Sequence, residues 1–386
     1  MLRMITTWLR SRKLCLPSHS IAGSRSLSHK ASAQSSLGTS KAEHPGHVPV
    51  LLEHVLSILN PVAGERVVDC TAGLGGHASA IARRLGATGS ITLLDADAAN
   101  LRVAAERVQS STAVGGPPIT LHHMNFRHLA SVVAPGSVDI VIADLGLCST
   151  QIDNLCRGFS FRTHTKGASA HPLANVDAPL DMRFDQSPTS PCMTVSDWLQ
   201  RTKPFDVANA LVKFGEVRPS AARRIAAAIQ ENLPVTSTKQ LRDIVVQQTG
   251  EVQPPLAQVR KIAHPSQIHA SLVLDPSPPL QVFQALRMVV NDELSALGDL
   301  LRDGTAALAP GGRLAVISFH SLEDRAVKTH FRVCSADTQH PVTGQITRIA
   351  PFELLTKRAV QAGQDEVTAN VGARSARLRV LLRTLS

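Results

Sequence analysis

Residues 69–77 read Asp-Cys-Thr-Ala-Gly-Leu-Gly-Gly-His, and they follow the apolar stretch Arg66-Val67-Val68. An apolar run that feeds a glycine-rich turn predicts a parallel β-strand entering a helix through a nucleotide-type loop. The next apolar run ends at Asp95, about 20 residues on, where a carboxylate can hold the hydroxyls of a ribose. These residues predict an α/β fold with a nucleoside site at the carboxyl end of its first strand.

The glycine spacing alone leaves the ligand open. Gly73-x-Gly75-x-x-Ala78 also fits a dinucleotide fingerprint, so an NAD-linked oxidoreductase is an alternative. Asp69 favours a different ligand, because a carboxylate at the mouth of the loop repels a pyrophosphate and attracts an ammonium or a sulfonium. S-adenosylmethionine carries both cations and no phosphate. We therefore predict S-adenosylmethionine as the cofactor.

The strand and helix patterns alternate before residue 150 and again near the end of the chain. An amphipathic helix near residues 50–59 comes first, and strands are predicted at 66–70, 90–94, 119–123, 138–143, 313–319 and 376–385. Between the two parts, helices are predicted at 195–214, 218–231 and 238–249, with a loop at 167–179 and a proline-rich break at 253–280. A long helix at 281–308 opens the second part. This organisation predicts a sheet domain in two parts, 43–150 and 281–386, interrupted by a mostly helical insertion, 151–280.

Residues 1–42 differ in composition from the rest of the chain. They hold seven basic residues, ten serines and no Asp or Glu, which is typical of a mitochondrial transit peptide. The other reading is a disordered basic tail. Without this segment the net charge falls from +10 to +3, so the overall charge is weak evidence for nucleic acid binding. We expect a mitochondrial matrix protein.

Composition also argues against several classes of protein. The six cysteines form no C-x-x-C pair and no spacing typical of zinc, so we predict reduced thiols and no metal. Tyrosine is absent and aromatics make up 3% of the chain, which disfavours a base-stacking platform. The apolar run near the start is too short and interrupted to span a bilayer, and no membrane partner is expected.

Eight blocks between residues 47 and 383 carry a resemblance. They are His47-x-Pro49-Val50, Gly75-Gly76-His77, Asp144-Leu145-Gly146-x-x-Ser149-x-Gln151, Arg157-Gly158-Phe159-Ser160-Phe161, Pro179-Leu180-Asp181-Met182-Arg183, Gly215-Glu216, Phe283-Gln284-Ala285-Leu286-Arg287 with Asn291 and Glu293-Leu294, and Ser318-Phe319-His320-Ser321-Leu322-Glu323-Asp324-Arg325. In identity and order these blocks resemble the RsmH/MraW family of ribosomal RNA cytidine N4-methyltransferases. The basic N-terminal segment makes the mitochondrial branch of that family the nearest resemblance.

The resemblance implies a class I methyltransferase fold, Rossmann-like, with an inserted helical substrate domain. It implies N4-methylation of a cytidine in small-subunit ribosomal RNA, with free rRNA or an assembling mitochondrial subunit as the partner. The cofactor positions it implies are Gly75, Gly76, His77, Asp95, Phe126, Asp144 and Gln151. Arg157, Arg183, Arg223, Arg224 and Arg325 are candidates for contact with RNA phosphates.

Two side chains are candidates for the proton transfer that N-methylation requires. Asp144, at a strand end beside the predicted cofactor, can accept from the cytosine amine; its alternatives are to hold the methionine ammonium or to organise the following turn. His320, just past another strand, can accept the proton, and its alternative is a structural histidine. The non-catalytic alternatives at the cofactor positions are helix capping for His77 and Asp95, and core packing for Phe126.

A competing function is a ribosome-assembly factor that binds the pre-subunit and retains only vestigial catalysis. It is motivated by residues that differ from the family's sequence pattern at Pro279-Leu280-Gln281-Val282 and around Gly372. The cofactor positions at Gly75–His77, Asp95 and Asp144 argue for an enzyme, because a binding protein has no need of a cofactor cage. We predict an rRNA (cytosine-N4)-methyltransferase.

Overall fold

A computed structural model describes residues 49–112, 115–160, 177–250, 277–340 and 343–385. The predicted transit peptide, most of the predicted loop at 167–179 and most of the proline-rich break at 253–280 lie outside these ranges. The described residues form a mixed α/β structure around one large sheet. No helix within the described ranges has the length and apolarity needed to cross a membrane.

The sheet has seven strands in the order β3-β2-β1-β4-β5-β9-β8. The strands of this sheet are β1 (Arg66–Asp69), β2 (Ser90–Asp95), β3 (Ile119–His123), β4 (Val138–Asp144), β5 (Leu308–Ser318), β8 (Phe352–Leu354) and β9 (Arg377–Arg383). Strands β6 (Thr338–Gln339) and β7 (Ile346–Arg348) form a separate two-stranded sheet. Strands β1 to β5 pair in parallel, and β9 pairs antiparallel with both β5 and β8. The strand order reverses between β1 and β4, and ligands of open α/β sheets bind at such a point. The predicted fold class is confirmed.

Alternate residues of the strands face two separate cores. Val67 and Ile140 face helices α1 (Leu52–Leu59), α2 (Gly76–Leu85) and α3 (Ala98–Ser111). Val68 and Val141 face helices α10 (Glu293–Ala307) and α11 (Ser321–Cys334) on the opposite side. This alternation follows from the two-residue repeat of a strand. Because both faces are covered, the central parallel strands β1, β4 and β5 are largely apolar.

A third core is built mainly from helices and, within the described ranges, contains no residue of the large sheet. Its helices are α5 (Val195–Arg201), α6 (Pro204–Gly215), α7 (Pro219–Glu231), α8 (Thr238–Thr249) and α9 (Pro278–Val290). The sequence predicted one helix over 195–214, and this was wrong. Thr202 and Lys203 are not helical, and Pro204 is the first residue of α6. Proline has no N–H to continue a helix but fits the first position of a new one.

The predicted helix over 281–308 is also two helices. Helix α9 ends at Val290, and Asp292 has a positive φ of 48° before α10 begins. The Asn291 amide donates to the Met182 carbonyl at 2.8 Å and accepts from the Phe184 N–H at 2.8 Å. These contacts hold the break. Helix α9 packs into the helical core, whereas α10 covers the sheet; the domain boundaries at 150 and 280 remain predictions.

Candidate active site

The glycine-rich loop after β1 is fastened to the ends of three strands. The Thr71 N–H donates to Asp69 Oδ1 at 3.0 Å, and the Gly73 N–H donates to Asp95 Oδ2 at 2.8 Å. Thr71 Oγ1 in turn accepts from the Asp144 N–H at 2.6 Å. Asp69, Asp95 and Asp144 are the last residues of β1, β2 and β4. Three carboxylates therefore surround one loop at the carboxyl edge of the sheet.

Two glycines of this loop lie where a side chain has no room. A Cβ at Gly75, whose φ is +74°, would lie 2.8 Å from the Ala104 Cα of helix α3. A Cβ at Gly76 would lie 2.3 Å from the Pro49 ring. The glycines thus let the start of helix α2 pack closely against its neighbours. The first N–H groups of a helix have no partner within it, so this helix start can donate to a ligand.

A buried imidazole lies beside the Asp144 carboxylate and interacts electrostatically with Asp69. Asp69 is 2% exposed and His77 is 6% exposed. His77 Nε2 lies 3.6 Å from Asp144 Oδ2. Burial raises the pKa of Asp69 to about 7, with Asp144 and Asp95 adding to the rise and the Thr71 N–H and His77 opposing it. The three side chains form a titratable cluster, which we call the Asp69–His77–Asp144 cluster.

Several polar atoms of this cluster have no hydrogen-bond partner. They are both ring nitrogens of His77 and Asp144 Oδ1, all buried. Buried polar atoms are normally paired, so atoms of this kind point to a ligand. An ammonium donates three hydrogen bonds and is attracted to carboxylates. The carboxylates of the cluster therefore fit the methionine end of S-adenosylmethionine.

Asp95 is positioned by backbone groups on both of its oxygens. Oδ2 accepts from Gly73 and Oδ1 accepts from the Asp97 N–H at 2.8 Å. Burial raises the pKa of Asp95 to about 6, although both N–H bonds oppose the shift. The Met124 N–H donates to the Asp95 carbonyl at 3.0 Å, which places Phe126, two residues on, near Asp95. Phe126 opens a short 3₁₀ helix and packs partly buried on the sheet.

Gln151 belongs to a buried network beyond Asp95. It lies in helix α4 (Ser149–Asp153), and its Nε2 donates to Asp97 Oδ2 at 3.2 Å. The same oxygen accepts from the Arg157 guanidinium. Arg157 also donates to the carbonyls of Arg183 and Phe184 at 3.0 and 2.7 Å. The network therefore joins the end of β2, the loop after β4 and the segment next to the helical core.

One predicted phosphate contact is corrected by these distances. The Arg157 side chain is buried against Asp97, so it is not available to an RNA backbone. Arg183 donates to both oxygens of Asp181, at 2.7 and 3.0 Å, but is partly exposed, so its contact with phosphate stays a prediction. Arg223, Arg224 and Arg325 are exposed, and their contact with phosphate stays a prediction.

His320 lies at the end of β5, next to the end of β4, and caps helix α11. Its Nδ1 accepts from the Glu323 N–H at 3.4 Å, and its Nε2 lies 3.1 Å from Glu323 Oε1. Ser321, the next residue, donates to Glu216 at 2.9 Å. The imidazole therefore faces its own helix. The geometry favours the structural alternative for His320, and its role as proton acceptor stays a prediction.

Glu293, His320 and Glu323 each place one atom within 4.8 Å of the others, as a metal site requires. However, both Glu293 oxygens accept from Arg287, at 2.7 and 2.8 Å. Glu323 Oε2 accepts from the Phe319 N–H at 2.9 Å. Since the carboxylates already have donors, we interpret these residues as an ion-pair network between helices α9, α10 and α11.

The structure thus places the candidate cofactor residues along one edge. Gly75, Gly76, His77 and Asp144 meet at the loop, Asp95 and Phe126 lie on one side of it, Gln151 lies behind Asp97, and His320 lies one strand away. Sequence reasoning missed Thr71 as the link between β1 and β4, and Arg157 as the partner of Asp97. A threonine two residues past a strand gives no signal of its own, and neither does the burial of an arginine.

Comparisons with known proteins identify the family of this chain. The model of the MraW methylase family matches residues 44–384. A ribosomal RNA small subunit methyltransferase H from Heliobacterium modesticaldum is 37% identical over 344 residues, which cover 86% of this chain and 97% of that protein. The protein of the same name from Nitrobacter hamburgensis is 39% identical over 347 residues, covering 88% and 91%.

Among solved structures, a putative rRNA-methylase from Clostridium thermocellum is 11% identical, covers 88% of this chain and 99% of its own, and has a TM-score of 0.36. A score this low carries no argument, whereas the family match covers most of the chain. That match overturns the NAD-linked alternative. The chain belongs to the MraW methylase family and is a methyltransferase that uses S-adenosylmethionine.

Proposed function

We propose that this enzyme methylates N4 of a cytidine in the small-subunit (12S-type) ribosomal RNA of mitochondria and thereby supports maturation of the small mitoribosomal subunit. The relatives carry the name ribosomal RNA small subunit methyltransferase H, which supports the class of substrate. The basic, acid-free segment at residues 1–42 supports import into the matrix. The observation that supports a catalytic function is the arrangement of Asp69, Asp95 and Asp144 around the glycine-rich loop.

The proposed roles of the cofactor residues follow from their positions. When bound, S-adenosylmethionine supplies a methyl group on a sulfonium, which needs positioning more than acid–base power. Asp95 accepts from the ribose hydroxyls, and Phe126 packs on the adenine. Asp69, the buried carboxylate at the start of the loop, accepts from the ammonium. Gln151 fixes Asp97 and with it the turn after β2.

Asp144 is proposed to act on the amine of the cytosine that accepts the methyl group. The cytosine N4 lone pair is delocalised into the ring, so the amine is a weak nucleophile. A carboxylate that accepts its N–H bonds localises the pair and can take the proton after attack. Asp144 ends β4 with Oδ1 unpartnered, and Thr71 holds its backbone. This side chain is therefore the proposed general base.

The raised pKa of Asp95 leads to a prediction about pH. Burial sets that pKa at about 6, so the carboxyl becomes protonated as the pH falls below this value. Cofactor affinity, measured by calorimetry, is then expected to weaken by about tenfold per pH unit below about 6. In Asp95→Asn the affinity should be lower at neutral pH and should lose the part of this dependence that begins near pH 6, whereas the part due to Asp69, whose pKa is about 7, should remain. A variant whose affinity keeps the wild-type pH profile would reject Asp95 as the responsible group.

The function is tested by reading N4-methylcytidine at single-nucleotide resolution in mitochondrial rRNA from cells with and without the protein. We expect one small-subunit site to lose the modification. Re-expression of wild-type protein should restore the methyl group, and Asp144→Ala should not. Unchanged methylation, together with defective small subunits that Asp144→Ala rescues, would instead establish the assembly-factor alternative.

A further inference from the structure

The His77 side chain has a property that cofactor binding by the Gly75-Gly76 backbone does not explain. The ring is buried, and neither nitrogen has a hydrogen-bond partner. Its nearest charged neighbour is Asp144, with Nε2 and Oδ2 separated by 3.6 Å. Catalytic contacts are often this long before substrates bind and then shorten. An imidazole also changes charge near neutral pH, so it can store a proton.

The groups that face His77 are acidic. Asp69 lies on β1 and Asp144 on β4, and Asp95 on β2 acts on Asp69 in turn. Among the described residues, neither Asp69 nor Asp144 forms an ion pair with a lysine or an arginine. The negative charge of the cluster is therefore balanced by the cofactor or by a proton.

The charge of the cofactor changes by one unit during the reaction. S-adenosylmethionine has two positive groups and one carboxylate, whereas S-adenosylhomocysteine has lost the sulfonium charge. The N4 lone pair forms the new N–CH₃ bond as the S–CH₃ bond breaks and leaves its electron pair on sulfur. N4 then carries one proton too many. One proton thus appears in the site as one positive charge disappears.

We propose that His77 stores this proton, which it receives from N4 through Asp144, so that the charge of the site stays constant until the products leave. The N4–H bond breaks with its electrons remaining on nitrogen, the proton moves to Asp144 Oδ2, and it passes to His77 Nε2. His77 becomes an imidazolium beside the Asp144 carboxylate, and Asp69 adds to the electrostatic stabilisation. His77 acts through Asp144 and does not touch the acceptor base. This inference rests on the proposed methylation at N4.

The proposal predicts that cofactor and product bind with different numbers of protons. Calorimetric titration of the full chain at pH 7, in buffers of different ionisation enthalpy, measures proton uptake on binding. Without any RNA present, binding of S-adenosylhomocysteine is expected to be accompanied by greater proton uptake than binding of S-adenosylmethionine, by as much as about one proton. Because RNA is absent, the result does not depend on which nucleotide, if any, is methylated.

Variants identify the group that holds the proton. His77→Gln retains a polar amide beside Asp144 but cannot become a cation, so the difference between the two titrations should disappear. Asp69→Asn should retain it, and so should His320→Gln, the matched change at the other candidate histidine. If the difference survives in His77→Gln and disappears in Asp69→Asn, the carboxyl of Asp69 holds the proton and the proposal is overturned. Equal proton uptake for both ligands in wild-type protein overturns it as well.

A second measurement uses the unsubstituted protein and guards against a variant that fails to fold. In ¹⁵N-histidine spectra, one ring is expected to be neutral with S-adenosylmethionine and protonated with S-adenosylhomocysteine. The same ring should be missing from the spectrum of His77→Gln or of the smaller His77→Asn. No change in any histidine between the two complexes contradicts storage on His77.

Discussion

Replacement of Asp144 by alanine is expected to slow methyl transfer by ~10²- to 10⁴-fold, the range for loss of a positioned acid–base group. The reason is the position of this carboxylate, at the end of β4, beside His77 and with one oxygen unpartnered. Single-turnover rates on small-subunit rRNA at saturating S-adenosylmethionine measure the effect apart from weaker cofactor binding.

The matched control lies on the same strand. Asp139 is paired with Arg66 near the start of β4, away from the carboxyl edge, and Asp139→Ala should transfer methyl groups near the wild-type rate. His320→Ala is expected to slow transfer with cofactor affinity retained. Full activity of both Asp144→Ala and His320→Ala would reject the assignment of these two residues.

Removal of the Arg157 guanidinium is expected to have the largest effect on stability. Arg157 and Asp97 form a buried ion pair. Burial raises the pKa of Asp97, but the hydrogen bond and charge of Arg157, with Gln151, outweigh it and hold that pKa below its usual value. In Arg157→Ala the carboxylate stays buried without its cation. Breaking such a pair on one side costs about 3–5 kcal/mol of unfolding free energy, which urea denaturation can measure.

Arg302 provides the control for this substitution. Its side chain is 63% exposed and pairs with Asp299 and Asp303 on the surface of α10. Exposed pairs contribute about 0–1 kcal/mol, so Arg302→Ala should change the unfolding free energy little. Equal losses of unfolding free energy in the two variants would show that burial does not increase the contribution of the Arg157–Asp97 pair to stability.

The sheet was predictable because buried parallel strands are continuous apolar runs that end abruptly at polar residues. Asp69, Asp95 and Asp144 each follow such a run, and parallel strands bring their ends to one edge. The sequence therefore predicted the glycine-rich loop and the three carboxylates around it. A strand was also predicted at 376–385, where the structure has β9; its antiparallel direction was not part of that prediction.

The helix breaks and the buried network were not predictable, because they depend on contacts distant in sequence. Asn291 ends α9 by bonding to Met182 and Phe184, more than 100 residues away. The sequence alone predicts an exposed position for Arg157, because nothing in it identifies Asp97 as the buried partner. In the same way, the capping role of His320 depends on the orientation of its ring, which a sequence pattern does not specify.

The position of β9 between β5 and β8 has a consequence for synthesis and quality control. A polypeptide interrupted before residue 377 would leave two strand edges with unsatisfied N–H and C=O groups, and such edges recruit other chains. Completion of the sheet therefore requires synthesis of residues 377–383. A chain truncated before residue 377 should aggregate and be degraded rather than persist as a shortened enzyme.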